Sequence, residues 1–109
     1  MNAVLYDELR RVARIGEVTR YGEIAPMVGL DMNNPDDRNR LSEWLDEISS
    51  HEHSLGHPLL SAVVIHVDDN MPGNGFFTLA TRLGLFRGRD RFIFFVQELR
   101  RVHDHWAHN

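Results

Sequence analysis

Residues 59–67, LLSAVVIHV, form a β-branched apolar run whose composition predicts a strand. A lone strand leaves its backbone N–H and C=O groups unpaired, so it must find a partner. The sequence leaves three partners open: residues 17–19, the segment near Phe76, or another copy of the chain. The first two would give a small sheet within the domain, and the third would give a dimer.

The sequence on either side of this run is patterned as helix. Apolar residues recur at helical spacing over residues 3 to about 15, and Gly16 ends that helix. A second helix is expected to begin near Tyr21 with Thr19 as its cap and to end at Gly29. Pro26 lies inside this stretch, so the second helix must be short or must start late.

A third helix is predicted from Asn34 as cap and Pro35 as first residue to about Ser50, followed by a polar loop over residues 51–57. The turn-rich segment 68–75, DDNMPGNG, must reverse the chain. A fourth helix is favoured over a returning strand from the spacing of Phe76, Leu79, Ala80 and Leu83.

A long C-terminal helix is predicted from about residue 89 to residue 107. Its apolar stripe consists of Phe92, Phe95, Val96, Leu99, Val102 and Trp106. Phe94 lies off that stripe, and together with Ile93 it widens the apolar surface beyond one buried face. The sequence therefore predicts an α+β domain that is mainly helical, with a small β-sheet and a long C-terminal helix.

Length and composition indicate one globular domain over residues 1–109. The absence of cysteine excludes disulfides, thiolate nucleophiles and Cys-ligated metal centres. The sequence has no apolar stretch of roughly 20 residues, and acids and arginines occupy the positions where a signal peptide would carry its apolar region. We therefore expect a cytoplasmic protein without a membrane segment.

Residues 16–25, GEVTRYGEIA, followed by Gly29, resemble the opening of the DNA-binding domain of O6-alkylguanine-DNA alkyltransferases and alkyltransferase-like proteins. The order of the following parts is also similar: a helix from Pro35, a proline before an apolar strand at residues 58–64, and a glycine-rich turn at residues 73–75. The resemblance implies a winged helix that binds DNA, with Arg20, Tyr21, Arg38 and Arg40 as contacts.

Two features of this sequence depart from that family. The Pro-Cys-His-Arg active-site motif, or its Trp-containing variant, has no counterpart in residues 57–64, so alkyl transfer is excluded. The third helix carries acids at positions 36, 37, 43, 46 and 47 against only Arg38 and Arg40. Acids on a helix that reads DNA would repel phosphates, which opposes ordinary duplex binding.

A second candidate surface is the arginine cluster before the last helix, which could bind phosphates or an acidic partner surface, or could be a solvated loop. Its residues are Arg82, Arg87, Arg89 and Arg91, with the nearby Phe94. Two glycines in residues 71–76 could present N–H groups to an anion, although the nucleotide-binding glycine motifs are missing. A turn with a helix cap is the simpler interpretation of that segment.

Catalytic and metal sites find little support in the sequence. Ser61 lies within an apolar run and not on a nucleophile elbow, so a triad with His57 and Asp68 is disfavoured. The seven histidines lack ligand spacing with an acidic third group, so no metal site and no cofactor are predicted. The leading hypothesis is a non-catalytic interaction module of winged-helix-like α+β architecture that docks a protein partner or itself. The alternative is a DNA-binding winged-helix regulator, or an alkyltransferase-like DNA reader without alkyl-transfer activity.

Overall fold

The computed structural model describes residues 1–88 and 90–109, and it is mainly helical with one two-stranded sheet. This confirms the predicted α+β class. In chain order the elements are α1 (Ala3–Arg14), β1 (Thr19–Arg20), α2 (Tyr21–Ile24), a 3-10 turn (Pro26–Val28), α3 (Pro35–Ser54), a second 3-10 turn (Leu60–Val63), β2 (Val64–Ile65), α4 (Asn74–Arg82) and α5 (Arg91–Ala107). No helix of the described residues is long and apolar enough to cross a membrane.

The two strands run parallel, with Thr19 opposite Val64 and Arg20 opposite Ile65. The strand at Val64 therefore finds its partner within the chain, at the end of the segment that the first sequence alternative named. The segment near Phe76 is not a strand, because it lies in α4 as predicted. Within the described residues the sheet has only this parallel pair, so the antiparallel wing of a winged helix is not present. Parallel strands need a crossover connection, and here α2 and α3 lie in it.

The predicted strand over residues 59–67 is wrong for most of its length. Residues Leu60–Val63 form a 3-10 turn, and only Val64–Ile65 are extended. This turn is buried against α1, α3 and α5 together. A segment enclosed on all sides is mostly apolar, so its sequence cannot be distinguished from that of a buried strand.

The start of α2 differs from the prediction in its cap. Arg20 occupies the cap position and makes no side-chain capping bond, while Thr19 pairs in β1 and its hydroxyl donates to Glu23 Oε2 at 3.3 Å. Thr19 as cap was therefore wrong. The helix is short, as Pro26 required, and Gly29 ends the following turn with φ +76°.

Helix α3 is one turn longer than predicted. Its start is confirmed, since the Asn34 side chain accepts hydrogen bonds from the N–H groups of Asp36 and Asp37. The predicted loop over residues 51–57 is wrong at its beginning, because α3 continues through Ser54. Glu52 lies on the buried face of this last turn. Because a buried position occupied by a charged residue does not add to the apolar pattern, the spacing of apolar residues could not indicate that the helix continues here.

Glu52 is fully buried and accepts hydrogen bonds from two neighbours. The Tyr6 hydroxyl donates to Glu52 Oε2 at 2.6 Å, and Nδ1 of His57 lies 3.0 Å from Glu52 Oε1. A second buried carboxylate, Glu98 of α5, accepts from the backbone N–H of Leu59 at 2.8 Å and from Arg101 at 2.9 Å. These carboxylates hold the segment before the second 3-10 turn between α3 and α5.

The C-terminal helix is confirmed, but its inward face is rotated from the predicted stripe. Phe95, Val102 and Trp106 are buried as expected, whereas Phe92 and Val96 are exposed. The placement of Phe94 off the inward stripe is also wrong. The ring centroids of Phe94 and Phe86 are 5.1 Å apart. The Phe94 ring also packs against Phe76 and Phe77, the two phenylalanines of α4.

Candidate functional site

A cavity of about 640 Å³ opens between four segments, and we call it the polar groove. Its walls are residues 20–22 at the start of α2, the middle of α3, the end of β2 with the residues after it, and residues 73–76 at the start of α4. Concave sites of this size with convergent polar groups are the usual location of binding sites. The groove exists because the parallel strands bring the start of α2 beside the turn that precedes α4.

Tyr21 and His66 form an aromatic pair in the groove. Their ring centroids are 4.4 Å apart with an interplanar angle of 27°. The Tyr21 hydroxyl accepts a hydrogen bond from the backbone N–H of Gly73 at 2.9 Å, which ties α2 to the turn before α4. Burial is the main reason why the pKa of Tyr21 is raised above its ordinary value.

The two glycines of this turn lie close to side chains of neighbouring elements. A Cβ at position 73 would lie 3.0 Å from His66 Nε2 and 3.2 Å from the Tyr21 hydroxyl. A Cβ at position 75 would lie only 2.8 Å from Ser42 Oγ on α3. The segment weighed as an anion site is therefore a closely packed wall of the groove, and the N–H of Gly73 is already donated to Tyr21.

The opposite wall is a polar stripe on α3. Asn39, Ser42 and Asp46 follow helical spacing and all line the groove. Burial raises the pKa of Asp46 above its ordinary value, although the positive charge of Arg82 opposes the shift and Glu43 adds to it. The stripe thus presents an amide, a hydroxyl and a half-buried carboxylate to whatever enters the groove.

Sequence reasoning placed Asp46 among the exposed acids of this helix, and the structure corrects that. Sequence reasoning also missed Asn39, Ser42 and His66 as site residues. The shared face of Asn39, Ser42 and Asp46 could have been predicted only by applying helical periodicity to polar side chains instead of apolar ones.

Three of the four predicted DNA contacts meet at the groove. Arg20, Tyr21 and Arg38 line it together with Gly73, while Arg40 is exposed on α3 and does not line it. One guanidinium N–H of Arg38 donates to the carbonyl oxygen of Met32 at 2.8 Å. Arg20 is 3.7 Å from Glu23 in a surface ion pair.

One arginine of the predicted partner-binding cluster is engaged within the fold, and another lies outside the described residues. Arg82 ends α4, Arg87 is exposed before α5, and Arg89 lies outside the described residues. Arg91 donates to the Asn74 side chain at 2.8 Å and its guanidinium lies 4.7 Å from the ring centroid of Phe77. Phe94 is half-buried in the aromatic cluster described above, so it contributes little free surface.

Two of the three residues weighed as a hydrolase triad are held in other contacts, and the third, Asp68, lines the polar groove. Ser61 accepts a hydrogen bond from the Ser49 hydroxyl at 2.6 Å, both side chains being buried. His57 contacts Glu52, and its ring centroid is 4.2 Å from that of His105. Among the described residues, no group of three His, Asp or Glu side chains could hold a metal ion.

The polar groove is therefore the site where residues singled out from the sequence converge with residues that only the structure reveals. Comparison of the chain with protein-family models, with curated proteins and with solved structures gave no match.

Proposed function

We propose that this chain is a nucleic-acid-binding module that engages its ligand at the polar groove. The observation that carries the proposal is the meeting of Arg20, Tyr21 and Arg38 with the Gly73 turn in one cavity. This arrangement joins two arginines, which suit phosphate, to an aromatic pair, which suits a base. Arg20 and Tyr21 come from the segment whose sequence resembles a DNA-binding domain.

The two arginines are available at modest cost. The Arg20–Glu23 pair is a surface ion pair, and such pairs contribute about 0–1 kcal/mol, so a phosphate can replace the carboxylate. Arg38 donates one N–H to Met32 and retains its other donors for a ligand. Each guanidinium that neutralises a phosphate releases counterions, which gives binding a dependence on salt.

The acidic character of α3 still weighs against tight binding in the folded protein. Asp46 lies within the groove, and Asp37 accepts the backbone N–H of Asp31 at 2.9 Å near the start of the helix. Asp36, Glu43 and Glu47 remain exposed. We therefore expect weak binding that depends on few phosphates rather than a tight grip on duplex DNA.

The test is fluorescence anisotropy of the protein with labelled duplex and single-stranded DNA at low and near-physiological salt. Neutralising two phosphates predicts a log–log salt slope of about −1.8 for duplex and about −1.4 for single strands. Arg20→Ala and Arg38→Ala should each weaken binding and reduce the slope by about 1. Arg40→Ala is the matched control, because this exposed arginine of the same helix does not line the groove.

Absence of binding at low salt would refute the proposal. Equal losses from Arg38→Ala and Arg40→Ala would show that any binding is non-specific attraction to positive charge and does not use the groove.

A second candidate function is docking of a protein partner, favoured by an exposed apolar face on α5. Phe92, Ile93 and Val96 are 62%, 52% and 39% exposed and lie on adjacent helical positions. Adjacent exposed apolar residues of this kind mark interaction surfaces. Self-association is its simplest form and is measured by sedimentation equilibrium, where Phe92→Ser should weaken the assembly and Ile15→Ser, an exposed control on the loop after α1, should not. A monomer at all concentrations would exclude self-association.

A further inference from the structure

Asp46 is the one acidic residue of α3 that lines the polar groove. Its carboxylate is half-buried beside the turn before α4, with Oδ1 3.9 Å from the position that a Cβ on Gly75 would take. Asp46 forms no ion pair with any other residue in the described part of the chain. Arg82 acts on it only as a nearby charge. The carboxylate is therefore free to meet a ligand.

An ionised carboxylate only accepts hydrogen bonds, so the ligand group beside it must be a donor. Among base edges, the N4 amino group of cytosine is the donor that Asp and Glu recognise, and Asn pairs with the amino edge of adenine. Asn39 and Ser42, which stand beside Asp46 on the same stripe, can each donate or accept. The stripe thus suits a base that offers an amino group next to a ring acceptor.

Thymine and uracil present a carbonyl oxygen where cytosine presents its amino group. Placing that oxygen against Asp46 would bring two acceptors together and leave a half-buried carboxylate without a donor. A site whose polar groups are left unpaired rejects the wrong ligand more strongly than a site that merely fits it poorly. Burial of the carboxylate in the groove strengthens this discrimination because less water is present to compensate.

We infer that Asp46 is a specificity-determining residue that selects bases carrying an exocyclic amino group, with cytosine as the first choice. The inference rests on the proposed function, since it requires a base to enter the groove. It adds a sequence preference to a module whose arginines alone would bind nucleic acid without regard to sequence.

The experiment compares oligodeoxycytidine with oligodeoxyuridine of equal length by anisotropy, because these probes differ at the amino group. The wild-type protein should bind the cytosine probe about tenfold more tightly, the lower range expected for a specific base contact. Asp46→Asn, which keeps the shape but adds a donor, should remove or reverse the preference.

Glu47→Gln is the matched control, because Glu47 is an exposed acid of the same helix and does not line the groove. It should keep the tenfold preference while it raises affinity for both probes equally by removing a negative charge. Asp46→Ser serves as a second variant that also removes the carboxylate, and circular dichroism verifies that each variant is folded.

The outcomes separate the inference from the proposed function. If both probes bind equally and Arg38→Ala weakens both, nucleic-acid binding stands and the role of Asp46 is overturned. A preference that survives in Asp46→Asn and Asp46→Ser also overturns that role. If no oligonucleotide binds but an arginine-rich peptide does, both proposals fail and the carboxylate receives a cationic side chain instead.

Discussion

Replacement of Tyr6 by Phe tests whether the buried carboxylate of Glu52 depends on its neighbours. The Tyr6 hydroxyl is 2.6 Å from Glu52 Oε2, and hydrogen bonds to charged groups contribute about 1.5–3 kcal/mol. Tyr6→Phe leaves the fully buried carboxylate with only His57 as side-chain donor among the described residues. We expect a loss of about 2 kcal/mol in the free energy of unfolding, and a fall in Tm of about 10 °C.

The assay is urea denaturation at neutral pH, followed by circular dichroism and analysed as a two-state transition. A double-mutant cycle with Glu52→Leu separates the hydrogen bond from the packing of the ring. In the Glu52→Leu background Tyr6→Phe should lower the free energy of unfolding by less than about 0.5 kcal/mol, because the hydroxyl no longer has a carboxylate to which it can donate a hydrogen bond. A loss of the same size in both backgrounds would refute the reasoning, since the cost would then not come from this contact.

Three further predictions concern other contacts. Asn34→Ala should lower the free energy of unfolding by about 1 kcal/mol, because it removes the cap of α3, and a loss near zero in urea denaturation would contradict the role of the cap. Glu98→Leu leaves the buried N–H of Leu59 without an acceptor and should cost about 1–3 kcal/mol in the same assay, whereas Glu98→Gln, which retains an acceptor, should cost less. Burial, together with the charge of His57, lowers the pKa of His105 below its ordinary value of 6.5, so the folded state favours the neutral ring. The contribution of His105 to stability is therefore complete above pH 6.5 and is lost as the pH falls below 6.5. Thermal melts through this range should show a smaller loss in His105→Gln than in the wild type, while His108→Gln should follow the wild type.

The helices could be predicted because each one carries its own local signals. The cap at Asn34, the proline that follows it and the glycine after α4 act within a few residues and need no knowledge of the rest of the chain. The apolar run of residues 59–67 carries no such signal. Its true conformation depends on three helices that enclose it, which no local pattern records.

The polar groove could be predicted only in part. The resemblance pointed to Arg20, Tyr21 and Arg38, and these do share the cavity. His66 and Asp46 could not be placed beside them, because their proximity depends on the parallel strand pair and on the rotation of α3. Similarly, Phe94 faces inward because α4 lies against that side of α5, which is a matter of packing and not of spacing along one helix.

The parallel pairing of β1 with β2 joins residues about 45 positions apart in the chain. Closing so long a loop has an entropic cost that only later contacts offset, so we expect the helices to form before the strands meet. The groove requires this pairing, and its walls come from segments on both sides of the closed loop. Ligand binding would therefore report that this long loop has closed, and a fragment that ends before residue 64 would lack β2 and the groove walls that follow it.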